Sequence, residues 1–201
     1  MSMNAQNPAE QPEHFEFNAE NLEKAKQHIA KYPEGRQASA VMPMLDIAQR
    51  QSGGWLPQAA IRHVAGLLDM SVIRVLEVAS FYTMYNLEPV GKHFVQVCTT
   101  TPCWLRGSDV VVSACKSTLG VNMGETTDDG EFTIVEVECL GACANAPMMQ
   151  IGDDYYEDLD AASTEKILNA LKAGETPEAG PQSDRSKSEP AGGLTSLQEN
   201  A

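Results

Sequence analysis

Nowhere in its 201 residues does the chain hold an apolar run near the roughly 20 residues that a bilayer-spanning helix needs. The opening stretch, Met1 to Phe17, lacks a basic n-region, an apolar h-region and an Arg-rich amphipathic pattern. It therefore reads as neither a secretory signal nor an intact mitochondrial presequence. Positive charge is scarce: 14 Lys and Arg face 28 Asp and Glu, for a formal net charge of −14. Nucleic acid is excluded as the ligand, because phosphate binding needs clustered cations. Between Lys116 and Lys166 there is no cation at all, and the acids there, Asp158 and Asp160 among them, read chiefly as a solvated face. A second reading has some of them tuning nearby sulfurs. The C-x-x-C pair of thiol–disulfide enzymes is also missing. A soluble protein is expected, meeting a membrane only indirectly, through partners.

What the chain does have is five cysteines, four of them in close pairs. Without an export signal, structural disulfides are not expected, and paired thiols point to metal or redox chemistry. One pair lies in Cys98-Thr-Thr-Thr-Pro-Cys103, the other in Cys139-Leu-Gly-Ala-Cys143-Ala-Asn-Ala-Pro147. Each follows a run of β-type residues, Phe94 to Val97 and Phe132 to Val137.

Upstream, apolar positions recur at helical spacing. Leu22, Ala25 and Ile29 follow a cap at Asn18; Val41, Leu45 and Ala48 mark a second helix from about Ser39 to Gln51. Leu56-Pro57 opens a third, with Ile61, Val64, Leu67 and Leu68 inward. Ser71 caps a fourth, with Val72, Val75, Leu76 and Ala79 inward. The aromatic and methionine run 81–85 reads as core, partner contact being the lesser possibility. His63 and His93 read as surface or capping histidines. After the turn at Pro89 to Gly91 the pattern changes to strand (His93 to Cys98), helix (Ser108 to Leu119), strand (Phe132 to Glu138), hairpin and a last helix with Ile167, Leu168 and Leu171. Cys115, on the inner side of its helix, reads as a small buried hydrophobe.

The fold class expected is α+β. Residues 1–17 form a flexible tail, with Phe15 and Phe17 able to tuck onto the body, 18–88 a small helical bundle, 92–173 an α/β domain, and 174–201 a disordered acidic tail whose Pro, Gly, Ser and Glu content cannot bury a core.

A [2Fe–2S] cluster needs two thiolate pairs, one for each iron. The 35 residues between the pairs (104 to 138) suit a crossover helix with its loops. Gly141 is expected to let backbone approach the sulfide and to offer N–H donors, while Trp104, Leu105, Ala144 and Met148 shield the site. Structural zinc and a thiol oxidoreductase remain open on spacing alone, although zinc's usual knuckle is C-x₂-C and these pairs are C-x₄-C and C-x₃-C.

These two cysteine motifs, with Trp104-Leu-Arg-Gly107, Asp153-Asp-Tyr-Tyr-Glu157, Gly54-Trp-Leu56 and Ser80-Phe-Tyr-Thr-Met84, closely resemble the 24 kDa-type [2Fe–2S] iron–sulfur subunit family of NADH:quinone oxidoreductase, the respiratory complex I. The resemblance covers roughly residues 15–172. It implies a thioredoxin-like ferredoxin domain behind a helical bundle, and one [2Fe–2S] cluster on Cys98, Cys103, Cys139 and Cys143. It also implies FMN and NADH on a partner subunit only, contacts with other peripheral-arm subunits, and no complete active site on this chain. The place implied is the cytoplasmic face of a bacterial inner membrane, or the mitochondrial matrix side if a presequence was removed. The equivalent diaphorase subunit of an NAD-linked hydrogenase or formate dehydrogenase is the related reading, and a zinc-stabilised assembly module the remoter one.

Overall fold

The computed structural model of the chain describes residues 11–190, 192–193 and 195–196. The chain divides into two compact units between Val90 and Gly91.

In the first unit, helices α1 (Ala19–Ile29), α2 (Val41–Gln51), α3 (Gln58–Leu67) and α4 (Val72–Phe81) follow one another, with a 3-10 turn over Gln37–Ala40. Asn18 caps α1 as its sequence position suggests, its side chain accepting from the Asn21 amide at 2.8 Å. Met44, Leu45, Ala48, Ile61, Val64 and Val75 form the core. Leu67 and Val72, expected inward, are exposed, because each lies at the helix end nearest the α3–α4 turn. Ser71 precedes α4 without a side-chain cap. Of the run 81–85 only Tyr85 is buried; Phe81 and Met84 are 77% and 52% exposed, so these two are not core.

Residues 11–17 are not a free tail. Phe17 is buried, and its amide donates to His63 Nε2 at 3.3 Å. The Phe15 and Phe17 rings stand edge-on to the imidazole at 5.6 and 5.1 Å. Phe15 and Phe17, the two aromatic side chains that the sequence offers for it, supply the anchor. Residues 1–10 of the expected tail lie outside the described residues.

The second unit is built on a mixed sheet of β1 (His93–Cys98), β2 (Glu125–Thr126), β3 (Phe132–Val137), β4 (Met149–Ile151), β5 (Asp154–Glu157) and β6 (Gly180–Pro181), in the order β2-β3-β1-β4-β5-β6. Helices α5 (Thr101–Leu105), α6 (Ser108–Leu119) and α7 (Ala161–Lys172) complete it. Phe132, Ile134, Val95, Val97, Ile167 and Leu168 are fully buried with Cys115 in one core. Each such Val, Ile, Leu or Phe contributes roughly 1.5–3 kcal/mol. Cys98, Cys103, Ala146 and Met148 form a second, smaller cluster beside this core. Asp160 starts α7 with a reciprocal capping box to Ser163, at 2.7 and 2.9 Å.

Two pieces of this sheet lie where no strand is expected. β2 falls between the expected helix ending at Leu119 and the expected strand from Phe132, and pairs antiparallel with β3. β6 falls in the segment expected to be disordered and pairs parallel with β5. Composition averages over a segment, whereas one well-placed ion pair, Arg185 with Asp158, anchors this one. The rest of that segment, at 191, 194 and 197–201, lies outside the described residues.

Candidate metal centre

The topology explains why the cysteine motifs meet. β1 and β3 are parallel and in register, with Cys98 opposite Val137. Cys139 therefore emerges two residues beyond the strand end that flanks Cys98. β4 pairs on the other side of β1, with Met149 opposite Val97. The chain from β3 to β4 must then cross the end of β1, and that crossing is the second cysteine loop. It carries Cys143 in a 3-10 turn, Cys143–Asn145, and a cis peptide before Pro147. The first motif turns straight into α5, which has Pro102 in its first turn and Cys103 buried on its inner side.

All four paired thiols come together here. Cys139 Sγ and Cys143 Sγ are 3.3 Å apart, and Cys98 hydrogen-bonds Cys103. Cys98 also acts electrostatically on Cys139, as Cys143 does on Cys103. Cys98 and Cys103 are buried, Cys139 and Cys143 exposed. The four sulfurs are disposed as two pairs, Cys98 with Cys103 and Cys139 with Cys143. Cys115 sits apart in the sheet-and-helix core; burial alone pushes its thiol up to about 12.

The surroundings suit sulfur in its anionic form. Burial works to raise the Cys98 thiol, but the Thr100 side chain and amide, Cys103 and the Leu140 amide outweigh it and hold Cys98 below the ordinary value. The Gly141 amide, then the Cys143 thiol, lower Cys139. Cys103 goes the other way, up to about 12, through burial and then its contact with Cys98, partly opposed by the Met148 amide. Cys143 is raised by its hydrogen bond to Cys139, by burial and by the charge of that neighbour. Each pair thus holds one thiol shifted below the ordinary value and one shifted above it. Bound metal ions would favour the thiolate form of all four.

Four groups at this site are not evident from the motifs. Thr100 lies 3.3 Å from Cys98 Sγ through its hydroxyl and also reaches Cys139. Tyr155 donates its phenol proton to the Leu140 carbonyl at 2.8 Å. The Leu140 and Met148 amides face sulfur, which only the β-register places there. Gly141 departs from expectation in one respect. Nothing lies within 4 Å of the position a Cβ would take, and its φ of +88° is what calls for glycine. Of the four expected shielding residues, Met148 is buried, while Trp104 and Leu105 are 64% and 70% exposed and Ala144 is exposed.

The family model for the thioredoxin-like [2Fe-2S] ferredoxin matches residues 25–172. The chain belongs to that family. The ferredoxin match begins inside α1, so it spans both units. The chain is 52% identical over 185 residues to the mitochondrial NADH dehydrogenase [ubiquinone] flavoprotein 2 of Dictyostelium discoideum, covering 92% of this chain and 75% of the relative. It is 55% identical over 158 residues to an NADH-quinone oxidoreductase subunit of Rickettsia bellii, covering 79% of this chain and 95% of the relative. Among solved structures, an NAD+-reducing [NiFe]-hydrogenase superposes with a TM-score of 0.56 at 18% identity, over 65% of this chain and 23% of that one. That likeness shows the fold. Among the described residues no helix is long and apolar enough to cross a membrane.

Proposed function

We propose that this chain is the [2Fe–2S] electron-carrier subunit of the NADH dehydrogenase module of an NADH:quinone oxidoreductase, with Cys98, Cys103, Cys139 and Cys143 as the four cluster ligands. The observation that carries the reading is the convergence of two thiol pairs at one sheet end, ringed by amide donors, in a chain more than half identical to NADH dehydrogenase subunits. A cluster held there takes up and returns one electron at a time.

The residues of this chain supply the setting. Cys98 and Cys103 offer sulfur from a buried floor, and Cys139 and Cys143 from an exposed lid. The amides of Thr100, Leu140, Gly141 and Met148 stabilise negative charge on the thiolates, which favours the more negative redox state. Met148 keeps water from the floor. FMN and NADH are handled by a partner subunit, so turnover of NADH needs both chains. The exposed Trp104 and Leu105 beside the centre, and Ile73, Phe81 and Met84 on the helical unit, are large apolar side chains of the kind that partner subunits cover. Attachment is peripheral, on the cytoplasmic side of a bacterial membrane or its mitochondrial equivalent.

Anaerobic purification followed by iron and sulfide analysis and by EPR after dithionite reduction tests the assignment. Two irons and two sulfides per chain, with an EPR signal appearing on reduction, are expected. A colourless, folded chain holding zinc would overturn it.

A further inference from the structure

Beyond α7 the chain returns across the second unit and ends against the cysteine loop. β6 adds to the sheet edge, and the Gln182 amide donates to the Glu157 carbonyl at 2.8 Å. Past that point, Arg185 forms a two-pronged pair with Asp158, Nε to Oδ2 at 2.6 Å and Nη2 to Oδ1. Both side chains are nearly buried, at 14% and 11% exposure. Nη2 also donates to the Ala144 carbonyl at 2.7 Å, and Nη1 to the Glu189 carbonyl at 3.1 Å. Ala144 is the residue next to Cys143. From the loop side, Asn145, 1% exposed, donates its amide to the Lys187 carbonyl at 2.7 Å. The Asp158 amide donates to the Asn145 carbonyl at 2.8 Å, and Ser183 Oγ to Asp158 Oδ2 at 3.0 Å.

From this network we infer that residues 180–190 are a strap, with Arg185 as a positioning residue that holds the loop 143–146 and thereby fixes where Cys143 presents its sulfur. The chemistry favours this over a decorative surface pair. An exposed ion pair contributes little, whereas a nearly buried guanidinium that forks onto a carboxylate and a carbonyl is geometrically specific. Its removal would leave the Asp158 charge and the Ala144 and Glu189 carbonyls without part of their partners at once. Ala144 and Asn145 bond to the strap by two separate routes, so the loop is gripped from both sides of one residue pair. The same 3-10 turn has its own Asn145-to-Ala142 amide bond at 2.9 Å, and the strap adds what one turn cannot supply, a link to the rest of the unit. The consequence for the centre rests on the cluster reading above; the stiffness of the loop does not.

Hydrogen exchange and EPR on the full-length chain test the inference, comparing wild type with Arg185→Ala, Asp158→Asn and, as a control, Gln182→Ala, whose side chain bonds, among the described residues, to the Glu178 and Gly180 carbonyls. In Arg185→Ala and Asp158→Asn, amides in 142–147 should exchange at least tenfold faster, while those of β1 and α6 keep their rates and Gln182→Ala resembles wild type. The EPR line positions of the reduced protein should shift in both variants at unchanged iron content, and iron release to a chelator should quicken several-fold. Loop exchange at the wild-type rate, acceleration spread evenly over the whole unit, or faster exchange with an unmoved EPR spectrum would each overturn the inference. If Arg185→Ala does not fold, the isosteric Asp158→Asn carries the test. A wild-type chain without iron would sink the cluster reading, while exchange would still decide whether the strap holds the loop.

Discussion

The phenol of Tyr155 on β5 reaches 2.8 Å to the carbonyl of Leu140, the residue between Cys139 and Gly141. A strand of the rigid sheet thereby holds the exposed cysteine loop at its first turn. Tyr155→Phe keeps the ring and loses the donor. It should cost about 1 kcal/mol in unfolding experiments and should speed chelator-driven loss of iron, with the cluster still able to form.

Gly141 at φ +88° aims its amide at Cys139. Gly141→Ala forces a Cβ into the left-handed region at a cost of about 1–2 kcal/mol, with no steric clash to add to it. Iron incorporation per chain should fall although the far-UV circular dichroism stays that of wild type. Full iron loading in the alanine variant would mean that the glycine's conformation is not what the loop requires.

Cys139→Ser should lose the cluster or hold it only briefly, because an oxygen ligand replaces sulfur at one iron. Cys115→Ala should retain the full iron content. Its cost is that of a small cavity, about 1 kcal/mol, visible as a lower urea midpoint. Parallel iron analysis of the two variants separates ligand from core thiol.

His63 gives the helical unit a dependence on acidity. Burial, opposed by Glu16 and assisted by His14, holds its pKa below the usual 6.5 in the folded state. The folded chain thus prefers the neutral ring, whose Nε2 accepts from the Phe17 amide. The sign follows from linkage: the contribution is complete above pH 6.5 and is lost as pH falls from there through the lower folded value. The urea midpoint of the helical unit should therefore decline as the solution is taken from neutral to about pH 5. His63→Gln, which retains an acceptor and cannot titrate in that range, should decline less.

Much of the site was legible because its signal is local. The spacing of Cys98 and Cys103, and of Cys139 and Cys143, sits in short segments next to β-type runs, and Cys115 is marked by helical periodicity alone. The helical stripe also reads well at Val64, Leu45 and Val75, and fails at Leu67 and Val72, where a helix ends and the face no longer has a neighbour. Thr100 and Tyr155 lie inside recognisable motifs, but only the pairing of β1 with β3 and β4, and of β4 with β5, reveals what they touch. Asp158 is the clearest miss. It sits in a run of acids that composition assigns to solvent, while its partner Arg185 lies 27 residues away in a segment of disordered composition. A pair separated that far leaves no periodic trace.

The parallel register of β1 with β3 has a further consequence for how this protein tolerates change. Extra residues at 120–124 would disturb only the local packing of Val121 and Met123 and the Gly124 amide's bond to Ile134, leaving the strand ends in place. A slip of one position between the two strands would carry Cys139 about 3.3 Å along the sheet and turn its neighbours to the opposite side. Length variation should therefore gather in the connector and be absent from the strand ends that carry Cys98 and Val137.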